Sequence, residues 1–345
     1  MRRALLLLAA SSAALCAQKQ PFDVDALLRL VRIAEHQISP DGSKVAFTVQ
    51  YIDVAGNQRP RHIYTVPTAG GAAIRITHEG DVNERPRWSP DSRQIAFISS
   101  RGGSSQVWMM DADGQNARPV TNFATEASGV LFSPDGKHLL FTSEVYPECG
   151  ADDACNRKRL EEEKNSKVKA RIYTGLLYRH WNRWQTARRS HLFVVPAAGG
   201  APRDLTPGAH GVPPFSLGGG DDYAISPEGG EVCYAVKADA VPAVSTNSDL
   251  FAVPIEGGEA RKITSNPGAD NGPQYSPDGK YLAWLSQSRA GYESDRWRLM
   301  LLERSTGRLV NHTENIDRPV TGFTWSPDSA RVFFTTGDRG RQAIQ

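Results

Sequence analysis

The sequence predicts an all-β fold, a β-propeller of four-stranded antiparallel blades with one helical insertion. Three features of the 345 residues indicate it: a recurring Ser-Pro-Asp turn, an alternating strand after each turn, and a Val-Pro-x-x-Gly-Gly hairpin in several repeats. A unit that recurs at a period of this length is typical of propellers and solenoids. Helical solenoids are excluded because the repeats lack a 3.6-residue hydrophobic periodicity.

Six copies of the turn mark six repeats, and their spacings are 50, 44, 93, 50 and 50 residues. Proline presets the second position of a β-turn, and an acidic residue followed by Gly or Ser completes it. Only one further strand, at 331–336, is expected after the sixth turn, so about six blades are predicted and the last is incomplete. The turns occupy residues 39–42, 89–92, 133–136, 226–229, 276–279 and 326–329.

Each turn leads into a short run of β-branched and aromatic residues, as at Val45, Phe47 and Val49, which predicts a strand. Glycine hairpins follow, each leading to a Leu-Thr or Ile-Thr pair that predicts a last strand. One repeat therefore holds four antiparallel strands, the unit of a propeller blade. The hairpins lie at residues 66–71, 195–200 and 253–258.

An insertion at residues 144–189 explains the 93-residue spacing. Its middle part, 156–173, is highly charged and predicts a helix with a narrow apolar stripe. The stripe consists of Leu160, Val168, Ile172 and Leu176, and the aromatic residues Tyr173, Tyr178, Trp181 and Trp184 cluster around and after its end.

The first seventeen residues predict a signal peptide, because Arg2 and Arg3 precede an apolar run that ends near Leu15. The mature chain, a propeller over 21–345, is therefore expected in the periplasm or outside the cell. No long apolar stretch follows residue 17, so no membrane span is expected.

Cysteine positions fit an oxidising compartment. Cys149 and Cys155 lie close together in a polar stretch and are candidates for a disulfide, with two free thiols as the alternative. Cys233, between Val232 and Tyr234, is expected to be a small buried hydrophobe.

The net charge of +2 gives no field that attracts nucleic acid, so no nucleic-acid partner is expected. The eight histidines show no metal-binding spacing, so neither a metal nor a cofactor is expected.

The blades resemble those of two groups, the propeller of the translocation protein TolB and the N-terminal propeller of the prolyl oligopeptidase (S9) family of serine peptidases. The insertion is similar to that of bacterial dipeptidyl and acylaminoacyl peptidases of the second family. The similar segments are Val145-Tyr-Pro-Glu-Cys, Tyr178-Arg-His-Trp-Asn-Arg-Trp and Arg189-Ser-His-Leu-Phe-Val-Val-Pro.

This resemblance implies a propeller that caps an α/β-hydrolase domain and admits short peptides to its Ser-Asp-His triad. The full enzyme would release dipeptides or blocked residues from N-termini. The sequence contains no Gly-x-Ser-x-Gly elbow, so we expect this chain to lack catalytic residues and its C-terminal hydrolase domain. The alternatives are a TolB-like periplasmic binding propeller without chemistry and a pseudoenzyme whose hydrolase Ser is replaced.

The resemblance also implies candidate substrate-binding residues. In dipeptidyl peptidases of this broad family a Glu pair on a propeller insertion binds the substrate's free amine, and Glu161 and Glu162, with Glu163 beside them, match by type and location. The alternative is a solvated helix face on which residues 157–159 pair with these acids.

Arg179, with His180, Trp181 and Trp184, is a candidate to line the substrate entrance. The alternatives are packing of the insertion on its own blade and an interface with the hydrolase domain.

Overall fold

The computed structural model of the protein describes residues 21–216 and 222–345. The predicted signal peptide, residues 1–17, lies outside the described residues. A short helix that the sequence analysis did not predict, α1 (Val24–Arg29), precedes the first blade. None of the helices within the described ranges is long and apolar enough to cross a membrane.

Blades 1 and 2 each have four strands in sequential order. Blade 1 comprises β1 (Arg32–Ile38), β2 (Lys44–Gln50), β3 (Arg61–Pro67) and β4 (Ile74–Arg75). Blade 2 comprises β5 (Asn83–Trp88), β6 (Gln94–Ser99), β7 (Gln106–Asp111) and β8 (Arg118–Pro119).

The insertion lies within blade 3, between its second and third strands. Blade 3 begins with β9 (Ser128–Phe132) and β10 (His138–Val145); the insertion then contributes α2 (Asp153–Asn165) and a hairpin of β11 (Arg179–His180) and β12 (Arg183–Trp184). The blade is completed by β13 (Arg189–Pro196) and β14 (Arg203–Asp204).

Blades 4 and 5 again have four strands each, and blade 6 has three. Blade 4 comprises β15 (Tyr223–Ile225), β16 (Glu231–Val236), β17 (Asp249–Pro254) and β18 (Arg261–Lys262), with a 3₁₀ turn at Pro242–Val244. Blade 5 comprises β19 (Asp270–Tyr275), β20 (Tyr281–Ser286), β21 (Arg298–Glu303) and β22 (Leu309–Asn311). Blade 6 comprises β23 (Val320–Trp325), β24 (Val332–Asp338) and β25 (Arg341–Ile344).

This architecture confirms the predicted fold class, a six-bladed array of antiparallel sheets whose last blade is incomplete. The sequence analysis missed β25, which pairs with β24 after a turn at residues 339–340. The turn residues Arg339 and Gly340 both have positive φ, so this hairpin uses a turn that differs from the Ser-Pro-Asp type.

The predicted helix bounds, 156–173, were wrong. Helix α2 begins at Asp153, where the Asp152 side chain accepts a hydrogen bond from the Cys155 backbone N at 3.0 Å, and it ends at Asn165. Asn and Ser favour helix ends because their side chains compete for backbone hydrogen bonds. The predicted apolar stripe therefore does not exist, and three of its members are exposed in the chain that follows: Val168, Ile172 and Leu176.

The Ser-Pro-Asp turns have one repeated geometry. In five of them the Ser Oγ donates to the Asp Oδ1 at 2.5–2.7 Å. In all six the backbone N five residues after the Ser donates to its Oγ at 2.9–3.1 Å. The fourth residue has φ between +61° and +75°, a left-handed conformation that explains why Gly fills four of these positions.

Five apolar clusters join the six blades, each between two successive blades. Within the described ranges, none of these clusters joins blade 6 to blade 1. Ile33 and Ile38 on β1 are 66% and 63% exposed, and Ile344 on β25 is 77% exposed. The described array is therefore an open arc with one uncovered apolar face at each end.

A second repeated contact stabilises the outer half of five blades. A buried Thr that follows the fourth strand accepts a hydrogen bond from a third-strand backbone N at 2.9–3.0 Å. The contact gives a buried N–H group its acceptor next to the short last strand. The threonines are Thr77, Thr121, Thr206, Thr264 and Thr313.

Thr206→Val is expected to lower the free energy of unfolding by about 1–3 kcal/mol, because the buried N–H of Leu192 loses its acceptor while the side-chain shape is kept. Chemical denaturation measures the change. Thr174→Val, at an exposed position of the insertion, is the control, and an equal loss in the control contradicts the explanation.

A fully buried carboxylate lies between blades 4 and 5. Asp270, the first residue of β19, accepts a hydrogen bond from Trp284 Nε1 at 3.0 Å. Burial raises the pKa of Asp270, and the nearby Asp249 carboxylate acts in the same direction. Hydrogen bonds from the Ser286 and Thr264 hydroxyls and from Trp284 oppose this effect, and the resulting pKa is about 6.

Asp270→Asn is expected to stabilise the protein more at pH 7.5 than at pH 4.5. The folded chain retains the Asp270 proton up to about pH 6, whereas an ordinary Asp releases it near 3.8, so wild-type stability falls as the pH rises through this window. Melting temperatures of variant and wild type at the two pH values test this. Asp317→Asn, at an exposed carboxylate, is the control, and a variant-to-wild-type difference that is the same at both pH values overturns the prediction.

Candidate functional site

The first strands of adjacent blades contact one another, β1 with β5 and β5 with β9, and so they line the centre of the arc. A cavity of about 440 Å³ lies between these strands and the insertion. Its walls come from blades 1–3, from the segment 180–190, and from residues 211–215. The cavity thus lies where the insertion covers the central strands.

The inner wall is formed at bulges in the first strands. Glu35 and Arg85 each lie four residues before a Ser-Pro-Asp turn and have φ of +55° and +57°. Glycines occupy the same left-handed position in blades 3 and 5, at Gly129 and Gly272. A non-glycine residue in this conformation costs on the order of 1 kcal/mol, and such strain is concentrated at functional sites. The bulges place two charged residues at the cavity.

Glu35 joins the first two blades as well as lining the cavity. Its Oε2 accepts hydrogen bonds from Thr48 Oγ1 at 2.9 Å and from the Arg85 backbone N at 2.7 Å. In blades 4 and 5, Asp222 Oδ1 accepts in the same way from the Gly272 backbone N at 3.0 Å. The carboxylate therefore holds two neighbouring first strands in position.

The cavity carries charges of both signs, and the blade wall holds both, since Arg85 on β5 lies there with the acidic residues. The acidic side chains Glu35, Glu84 and Glu144 belong to the blades, and Glu84 pairs with Arg61 at 2.5 Å. The basic side chains Arg183, Arg188 and Arg189 lie on or next to the insertion, and Arg183 pairs with Glu144 at 3.5 Å. Burial lowers the pKa of the Arg189 guanidinium, although Glu144 acts in the opposite direction.

Aromatic rings support the hairpin that covers the cavity. The His180 ring meets Phe215 edge-on at 6.4 Å, and the Arg183 guanidinium lies 5.3 Å above the same phenyl ring. Trp184 stacks with Tyr173 and Tyr178 at 5.9 and 6.1 Å between ring centres. These contacts fix an otherwise short two-stranded hairpin over the central strands.

A second hollow of about 470 Å³ lies alongside, formed by Glu163 and the segments 170–178 and 185–189. It shares Gln185, Thr186 and Arg189 with the first cavity, so the two hollows are adjacent. Together they form a bent groove that is apolar at Ile172 and Leu176 and charged at its inner end.

Helix α2 is attached to blade 3 by three contacts. A disulfide joins Cys149 to Cys155 at its start. The fully buried Asn156 accepts from the Tyr146 backbone N at 3.1 Å and donates to the Gly150 carbonyl at 2.9 Å. The Tyr146 hydroxyl donates to Glu163 Oε2 at 2.6 Å, and burial together with this bond raises the pKa of Tyr146 to about 12.

The predicted substrate-binding residues lie in three different settings. Glu161 and Glu162 are exposed on α2, and Glu162 pairs with Arg159 at 3.2 Å and with Lys158 at 4.0 Å, as a solvated helix face predicts. Neither is among the described residues that line the 440 Å³ cavity, whereas Glu163 lines the adjacent hollow.

Arg179 is exposed, with its guanidinium 5.7 Å from the Trp184 ring, and is not among the described lining residues. Its neighbours His180 and Trp184 do line the cavity, and Trp181 is 85% exposed. Of these four residues, His180 and Trp184 therefore face the cavity, and Arg179 and Trp181 do not line it.

Sequence reasoning missed Glu35, Glu84 and Arg188. The available signal was the position four residues before each Ser-Pro-Asp turn, where charged residues or glycines recur. The part of the chain that the structure describes holds no cluster of three metal-ligating side chains.

Known proteins share sequence or fold with this chain. A family model described as the TolB beta propeller domain matches residues 33–154. Dipeptidyl-peptidase 5 of Porphyromonas gingivalis is 32% identical over 323 residues, which is 89% of this chain and 45% of that protein. The chain thus spans about half the length of the curated relatives that it matches.

Two solved structures share the fold. The acylaminoacyl peptidase of Pyrococcus horikoshii superposes with a TM-score of 0.66 at 14% identity, over 92% of this chain and 45% of that one. The β-propeller domain of the trilobed protease of Pyrococcus furiosus, which has an open velcro topology, gives 0.58 at 14% identity over 92% and 80% of the two chains.

Loss of the disulfide is expected to loosen the insertion while the blades stay intact. In a Cys149→Ser, Cys155→Ser double variant, amide hydrogen exchange of residues 153–188 should become faster, because the crosslink at the start of α2 is gone. Exchange in β10 and β13 should not change, and reduction of the wild-type chain should reproduce the effect. Equal acceleration in the blades contradicts a local role.

Proposed function

We propose that this chain gates the entry of short peptides to an exported exopeptidase of the dipeptidyl or acylaminoacyl type. The premise of this proposal is that the chain is homologous to the propeller part of the prolyl oligopeptidase (S9) family of peptidases. The observation that supports this most is the cavity where the insertion covers the central strands. A peptide that moves along the centre of the arc meets this cavity.

The chemistry of the cavity suits short peptides with charged ends. The carboxylates of Glu35, Glu84 and Glu144 on its blade wall can accept hydrogen bonds from an ammonium group, and the arginines that line the cavity can donate to a carboxylate. Trp184 and Phe215 add ring surface for apolar side chains. Cavities of this size hold small ligands and exclude folded proteins, which is the selectivity a peptide gate needs.

The peptidase chemistry is proposed for the whole protein and assigned to an α/β-hydrolase domain with a Ser-Asp-His triad that would partner this propeller. Serine-directed labelling of the full protein with a fluorophosphonate tests that part. Absence of labelling together with retained peptide binding would favour the two alternatives, a pseudoenzyme whose hydrolase Ser is replaced and a TolB-like binding propeller. The match of the TolB beta propeller family model to residues 33–154 supports the second of these.

We also propose a periplasmic or secreted location. The disulfide between Cys149 and Cys155 supports it, because such bonds form and persist in oxidising compartments.

Trp184→Ala is expected to weaken the binding of tetra-alanine by about tenfold or more, because this ring lines the cavity while 43% exposed, so a bound peptide can cover it. Isothermal titration calorimetry measures the dissociation constant. Trp181→Ala is the matched control, since this ring lies in the same hairpin but is 85% exposed, and its affinity should stay within about twofold of wild type.

Equal losses in the two variants would indicate a general effect on the hairpin and contradict binding in the cavity. Absence of peptide binding by the wild-type chain would overturn the proposed gate itself.

A further inference from the structure

Arg188 differs from the other arginines on the insertion side of the cavity. Arg183 pairs with Glu144 at 3.5 Å, and Arg189 donates to the carbonyls of Thr186 and Arg188 at 2.8 Å. The Arg188 guanidinium has no hydrogen bond or ion pair to any residue that the structure describes, and its Nε is buried. Only the backbone of Arg188 is bonded, with its N donating to Thr186 Oγ1 at 3.1 Å.

A buried guanidinium N–H without a protein acceptor is unfavourable, so the Nε of Arg188 is available to donate to a ligand that enters the cavity. The planar guanidinium is matched in shape and charge by a carboxylate, which accepts two parallel hydrogen bonds. A phosphate could also accept them. However, the blade wall also holds the carboxylates of Glu35, Glu84 and Glu144, which can accept hydrogen bonds from the ammonium group that a peptide carries and a phosphate lacks.

We propose that Arg188 forms a carboxylate subsite, so that the cavity prefers short peptides that carry a free C-terminus or an acidic side chain. This inference rests on the proposed peptide gate and deepens it. The carboxylate binds at Arg188 next to the insertion, and the peptide's ammonium group faces the acidic wall of the blades. The arrangement also sets the direction in which a short peptide lies in the cavity.

The test is a titration of the full 345-residue chain and its variants with three probes at low ionic strength. The probes are tetra-alanine with a free C-terminus, its C-terminal amide, and an Ala-Ala-Asp-Ala amide. In the wild type, amidation should weaken binding about tenfold, and the internal Asp should restore it if a side chain can supply the carboxylate. Without that restoration the subsite is specific for the C-terminus.

Arg188→Gln should lose about tenfold affinity for the free acid and little for the amide, so that the preference between the two disappears. Arg188→Lys keeps the charge but loses the planar fork, and should retain part of the preference. Arg157→Gln, on the exposed face of α2 and paired with Asp153, is the matched control and should behave as wild type. Thermal melting of each variant checks folding.

A preference for the free acid that persists in Arg188→Gln overturns the subsite. So does equal binding of free acid and amide by the wild type, and in that case the peptide gate still stands. If the wild type binds none of the three probes, the proposed function fails along with this inference.

Discussion

Five of the six blades depend on one hydrogen-bonded turn, in which a Ser hydroxyl bridges an Asp carboxylate and the backbone N at the start of the next strand. The bridge fixes the register of the first hairpin, and in a strand a slip of one residue moves every side chain to the opposite face. In blade 1, Ser39 donates to Asp41 at 2.5 Å and accepts from the Lys44 backbone N at 3.0 Å. The turn thereby decides which side chains of the blade reach the apolar clusters between blades.

The same turns also connect neighbouring blades. Where Ser replaces Gly at the fourth position, its hydroxyl accepts a bond from the turn of the preceding blade, as Ser92 does from the Asp41 backbone N at 3.0 Å. Ser329 accepts from the Asp278 backbone N at 2.9 Å in the same manner. Where Gly is kept, the turns approach closely, and a Cβ on Gly136 would lie 3.4 Å from Pro90 Cδ. A motif of four residues therefore forms the local hairpin and also contacts the neighbouring blade.

The blades could be predicted from the sequence because the atoms that form each turn lie within six consecutive residues. The end of α2 could not, because the charged run continues past Asn165 and only local capping by Asn and Ser stops the helix. The cavity was still harder to foresee. Glu35 and Arg188 come from distant parts of the chain, and only the packing of the insertion over the first strands brings them to one site. Glu161 and Glu162 matched by type and sequence position, but neither property states which way a helix face points.

The charged residues on the two sides of the cavity differ in how far hydrogen bonds to the rest of the protein hold them in place. Glu35 has a structural role, since it accepts hydrogen bonds from Thr48 and from the Arg85 backbone N. Its replacement would therefore disturb the contact between blades 1 and 2 as well as the binding of any ligand. Arg188 has no comparable structural role, because its buried Nε makes no hydrogen bond to a described residue. The acidic wall is thus part of the scaffold, while the basic wall belongs to an insertion attached through a disulfide and a buried Asn. In the peptide gate that we propose, changes in the insertion would alter which ligands fit while the blades stay intact, because the hydrogen bonds that set the blades lie elsewhere.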